Sequence, residues 1–170
     1  MALNKSSVTV RFLGGSGAGQ SGLLDQLAYI AARGGVGGAV PGGCVFRMKG
    51  LELRLLETHF DDFKRGDAPQ ADLWFLVVGL DEGPFELYEE LPALGLERVE
   101  GVFLNKCDII DEDELIDLVR LDTRSVLEEN GLLSPDTVFI TGSVAFAAQV
   151  QRRAGIEALE QLLKAIVARM

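Results

Sequence analysis

Residues 14–22 read Gly-Gly-Ser-Gly-Ala-Gly-Gln-Ser-Gly, a spacing that can hold an anion. Glycines let backbone N–H groups turn inward onto phosphate oxygens, and a helix starting directly afterwards adds the positive end of its dipole. Gly14 and Gly19 match the ends of the pattern GxxxxGK[ST], with Ser16, Gly17 and Ala18 between them. Ser21 supplies the hydroxyl that such a loop turns toward Mg²⁺, and Gly22 follows it. The lysine is missing, because Gln20 stands in its place. A glutamine amide can donate to a phosphate oxygen, but the bond is about half as strong as a charge-assisted one. The same glycine-rich turn also serves close packing of a strand on a helix, so the phosphate reading needs support from elsewhere in the chain.

A second group supplies it. In "VFLNKCDII", Asn105-Lys106-Cys107-Asp108 follows an apolar run that reads as a strand. A carboxylate at Asp108 can accept from the two N–H groups on a guanine edge, and the Lys106 stem can lie over the base. NKxD at a strand's carboxyl end is the guanine-reading element of GTPases. The plainer alternative makes these residues a turn and cap before the next helix.

The elements that must position these groups are legible from periodicity. Val8 to Leu13 is β-prone and ends at Gly14, and Leu23, Leu24, Leu27, Ile30 and Ala31 recur at helical spacing up to Gly34-Gly35. Residues 34–43, "GGVGGAVPGG", are expected to form a loop. "CVFRM", the Lys49-Gly50 turn and "LELRLL" predict a β-hairpin with one covered face. Asp61 to Gln70 is polar and broken by Gly66 and Pro69. Leu73 to Val78, "LWFLVV", reads as a strand buried on both faces, with Trp74 and Phe75 as core. A short helix over 85–94 is interrupted near Pro92, Val99 to Leu104 is a strand, and Glu112 to Asn130 is a helix closed by Gly131. Thr137 to Ile140 is the last strand. The final helix starts at about Gly155 and carries Ile156, Leu159, Leu162, Leu163, Ile166 and Val167 on one stripe. Alternation of this kind predicts a single α/β domain over 1–170, doubly wound, with a mostly parallel sheet and one antiparallel hairpin strand.

Composition narrows the partners. The chain has 170 residues and a formal net charge of −10, which argues against sequence-independent binding to nucleic acid or to anionic membranes. Asp111-Glu112-Asp113-Glu114 reads as a solvated helix start, where negative charge is favourable, and Arg152-Arg153 as a solvated pair. Cys44 and Cys107 form neither a disulfide framework nor a zinc pattern. With no signal-peptide pattern and no run of about 18 apolar residues, membrane insertion is not expected and a cytoplasmic location is.

Three stretches, "LWFLVVGLDEGP", "GVFLNKCDIIDEDELIDLV" and "FITGSVA", resemble the GTP-binding domain of elongation factor Tu and its translational GTPase relatives, most densely from Asp72 to Ser143. The resemblance implies a P-loop GTPase fold and guanine specificity through Asn105, Lys106 and Asp108. It implies support of the guanine carbonyl by Ser143 and Val144, with GTP or GDP as ligand. If a triphosphate binds, Mg²⁺ would be held by Ser21 and, through a water, by Glu57.

The departures from the family are as informative. Its DxxG motif aligns with Glu57-Thr58-His59-Phe60, so Phe60 replaces the glycine that senses the γ-phosphate, and Asp61 replaces the histidine that positions water. His59, the chain's one histidine, is either a displaced catalytic residue or a surface turn residue. Residues 34–43 lack the threonine of the first switch. The sequence has no counterpart of the family's β-barrel domains, so aminoacyl-tRNA delivery is not expected of it.

Phosphoryl transfer rests on positioning and electrostatics, and those parts are the ones missing. The expectation is a degenerate GTPase, with weak nucleotide binding and weak or absent hydrolysis, acting as a regulatory or interaction module for a protein partner. One alternative is an atypical active GTPase whose missing charge comes from Lys5, Arg33, Lys49 or a partner's arginine. The other is a scaffold that binds no ligand.

Overall fold

The computed structural model describes residues 6–65, 69–149 and 153–170. Lys5, Gly66 and Arg152 lie outside the described residues, as does the Arg153 side chain. The strands are β1 (Ser7–Gly14), β2 (Gly37–Val40), β3 (Gly43–Met48), β4 (Leu51–His59), β5 (Leu73–Gly79), β6 (Gly101–Asn105) and β7 (Val138–Thr141). The helices are α1 (Gln20–Arg33), α2 (Phe85–Glu90), α3 (Asp113–Glu129), α4 (Val144–Ala148) and α5 (Arg153–Val167), and a 3-10 segment spans Phe60–Arg65.

All seven strands join one sheet in the order β2-β3-β4-β1-β5-β6-β7. β1 pairs in parallel with β4 on one side and β5 on the other, β5 with β6 and β6 with β7 likewise, and β3 alone runs antiparallel to its neighbours. The α/β, mostly parallel arrangement with one antiparallel hairpin strand is therefore present as the sequence implies. Strand order reverses at β1, and in such sheets a ligand crevice opens outside the carboxyl ends of the strands at that point.

Successive residues of a strand point to opposite faces, and here both faces are covered. Phe12, Phe75, Val77 and Phe103 pack with Leu23, Leu24 and Leu27 of α1 and Leu159, Leu162 and Ile166 of α5. Leu13, Leu76, Val78, Val102 and Leu104 pack the other face, with Leu87 of α2 and Val119, Val126 and Leu127 of α3. Phe75 is fully buried, but Trp74 is only half-buried, at the start of β5 against Phe63 at a centroid distance of 5.6 Å.

Three local readings change. Residues 37–40, expected to be loop, form edge strand β2, because missing side chains let the backbones close. A Cβ on Gly37 would fall 1.8 Å from the Val45 carbonyl oxygen. Helix α4 is additional, started by the Ser143 side chain, which accepts from the Phe146 N–H. The polar stretch after β4 holds a 3-10 segment. The Lys49-Gly50 turn has both residues at positive φ, 46° and 83°, as a tight hairpin turn requires.

Candidate functional site

β1 ends at Gly14 and α1 begins at Gln20, so five residues turn through the crevice beside the β1 carboxyl end. Gly17 and Gly19 sit at φ 84° and 97°, the left-handed region that costs glycine least. Gly19 has a second reason to be glycine, since a Cβ there would fall 2.3 Å from Asn105 Nδ2. The first turn of α1 carries no acidic residue, and its Gly19 cap has no side chain to spend on the free amides. The positive end of a 14-residue helix thus faces the loop. Ser16 and Gly17 are exposed and Ala18 is buried. Gly22 lies inside α1, where its missing side chain leaves room for Val144 (3.1 Å from a Cβ).

Gln20 does not project outward. It is 2 % exposed, and its amide lies against Gly14, where an added Cβ would sit 2.8 Å from both Gln20 Nε2 and the Val77 carbonyl oxygen. That Nε2 has no hydrogen-bond partner. A buried donor left unpaired costs about 1–3 kcal/mol, which an oxygen acceptor arriving at the loop would relieve. The cradle and its orphaned donor fit a phosphate oxygen.

Both metal candidates meet. Ser21 Oγ donates to Glu57 Oε2 at 2.5 Å, across from α1 to β4. His59 closes β4 half-exposed, with Nε2 4.0 Å from the same carboxylate oxygen and its backbone N–H donating to Asp62. Among the described residues no group of three or more His, Cys, Asp or Glu forms a metal cage. Ser21 and Glu57 fit Mg²⁺ only in its usual manner, with phosphate oxygens and waters completing the shell.

The second-switch position is fixed. Phe60 is only 6 % exposed among Leu13, Leu76, Val78 and Leu87, so the backbone at this position is anchored by an aromatic ring.

Asn105, Lys106, Asp108, Ser143 and Val144 come together where β6 and β7 end. Asn105 is 3 % exposed; its Nδ2 donates to the Ala18 carbonyl at 2.9 Å and its Oδ1 accepts from the Val144 N–H at 3.1 Å. One side chain thereby ties the phosphate loop to the start of α4. Asp108 accepts from Ser143 Oγ at 2.6 Å, which holds one carboxylate oxygen and leaves acceptor capacity on the group. Lys106 adopts the left-handed conformation, φ 71°, and its Nζ pairs with Asp81 at 2.8 Å.

Three residues here were not anticipated: Asp81, Glu82 and Glu86. A Cβ on Gly15 would fall 1.4 Å from Glu86 Oε2 and one on Gly17 would fall 3.5 Å from Glu82 Oε1, so two carboxylates border the loop. The signal was available, because "LDEGPFE" follows β5, and loops after parallel neighbours share one rim of the sheet.

Two proposed sources of replacement charge are out of reach. Lys49 occupies the hairpin turn at the opposite end of nine-residue β4, roughly 30 Å from the loop at ~3.3 Å per residue. Arg33 ends α1, about 20 Å from Gln20 at ~1.5 Å per residue, where it lies over the Tyr29 ring.

No family model matches the sequence. Among solved structures, one described as sup35 complexed with GDP is similar, with a TM-score of 0.57 and 20% identity over 83% of this chain. The match spans only 38% of that longer chain. Likeness at this level concerns the backbone, and the backbone seen here is a GTPase-like α/β fold.

Proposed function

We propose that this protein binds guanine nucleotide at the carboxyl edge of the sheet and serves as a regulatory or interaction module rather than as an efficient GTPase. The observation that carries the reading is Asn105, a buried amide bonded at once to the phosphate loop and to the start of α4. In this reading Asp108 takes the guanine N–H groups, the Lys106 stem covers the base, and Ser143 and Val144 support the guanine carbonyl. The amides of residues 14–22 receive phosphate, and Ser21 with Glu57 would hold Mg²⁺ beside a triphosphate. Mg²⁺ there would neutralise phosphate charge.

Weak turnover follows from what the chain's own residues do. Gln20 carries no charge, Phe60 is locked in the core, and the stretch where the first switch would sit is pinned as β2 against β3. The similar GDP-complexed structure is consistent with the choice of base.

Calorimetric titration with GDP and ADP tests the base reading. GDP is expected to bind and ADP not. Asp108→Asn should weaken GDP by tenfold or more and improve xanthosine diphosphate, whose 2-oxo group can accept from an asparagine amide. Equal binding of GDP and ADP would sink the assignment. GTP turnover at the buffer background is expected, and a measurable rate lost in His59→Ala would make His59 catalytic after all.

A further inference from the structure

We propose that the site discriminates by phosphate number, taking guanosine monophosphate or guanosine in preference to the triphosphate; this rests on the guanine reading above. The base corner is assembled in advance, since Asn105 bonds to Ala18 and to Val144, and Asp108 to Ser143. Groups fixed before binding lose little freedom on binding, so the base carries more of the affinity.

The phosphate end is the reverse. Its side-chain donor is a neutral amide folded down against Gly14, 2 % exposed and without a partner. One phosphate group can approach the α1 amides at the loop without help from that donor. Every further phosphoryl group adds negative charge beside Glu57, Glu82 and Glu86. Glu57 also engages the Ser21 hydroxyl that an incoming cation needs. Lys106, in the base corner, is already paired with Asp81. Like charges brought together without a counter-charge repel, and each added phosphoryl group adds to that cost. The balance therefore favours a ligand with one phosphate or none.

The test is calorimetric titration of the full chain with guanosine, GMP, GDP and GTP, each with Mg²⁺ and with a chelator. The expected order puts GMP at or below the Kd of GDP and GTP at least tenfold weaker. Combining Gln20→Lys with Glu82→Gln and Glu86→Gln should shift the GTP-to-GMP preference toward GTP by tenfold or more. Both glutamates are exposed, so those changes spare the core. GTP binding as tightly as GMP, in either condition, overturns the proposal while leaving the base reading intact. No binding by any of the four compounds, in the parent or the triple variant, overturns the base reading and this inference with it.

Discussion

The two halves of the crevice share one sheet edge yet are finished differently. Where β6 and β7 end, Asn105, Asp108, Ser143 and the Val144 amide all bond to one another or to the loop, across separate elements. Where β1 and β4 end, the amide of Gln20 is buried without a partner, and Phe60 is packed into the core. Hydrogen bonds that join separate elements hold a corner of the fold together whether or not a ligand is present. A lysine or a mobile switch serves only the ligand, and its absence removes none of these bonds between elements. The difference shows which half of the crevice is the more heavily braced by bonds between elements.

Substitutions can break this contrast in decreasing order of effect. Phe60→Ala removes an aromatic side chain from the second core layer and is expected to cost about 3–5 kcal/mol. By thermal unfolding that is a fall on the order of 10 °C in Tm. A cost below about 1 kcal/mol would show that the second-switch position is not pinned. Asn105→Ala leaves the Ala18 carbonyl and the Val144 amide without their partner and should cost about 2–3 kcal/mol in denaturant unfolding, with no nucleotide present. A neutral result would mean that the corner is held by something other than Asn105. Ser21→Ala removes a hydrogen bond at an exposed residue, so chemical denaturation should register less than about 1 kcal/mol. A larger loss would place structural weight on the phosphate half and erase the distinction.

Much of this organisation is readable from residue types. Apolar runs such as "LWFLVV" mark strands buried on both faces, and the glycine and polar groups after them fall at one rim because parallel strands end together. Residues 37–40 are strand rather than loop because a glycine-rich run, which usually breaks strands, here allows close pairing. In a hairpin whose backbones approach this closely, the absence of Cβ is what permits pairing. The acidic border escaped for another reason: Glu86 and Gly15 are 71 positions apart, and only β1–β5 pairing brings their loops together. That Gln20 lies inward, in space left free by the missing side chain of Gly14, is a matter of packing that helical periodicity does not encode.

The place of β1 at the centre of the sheet has a consequence for synthesis. Val10 pairs with Leu55 on one side and Leu73 on the other, so β1, once synthesised, waits for partners 45 and 63 residues downstream. At roughly 5–20 residues per second that interval is about 3–13 s. During it, the segment around Phe12 and Leu13 presents both hydrogen-bonding edges and two apolar faces to whatever is nearby. The strand that organises the finished molecule is the one longest exposed to mispairing while it is made.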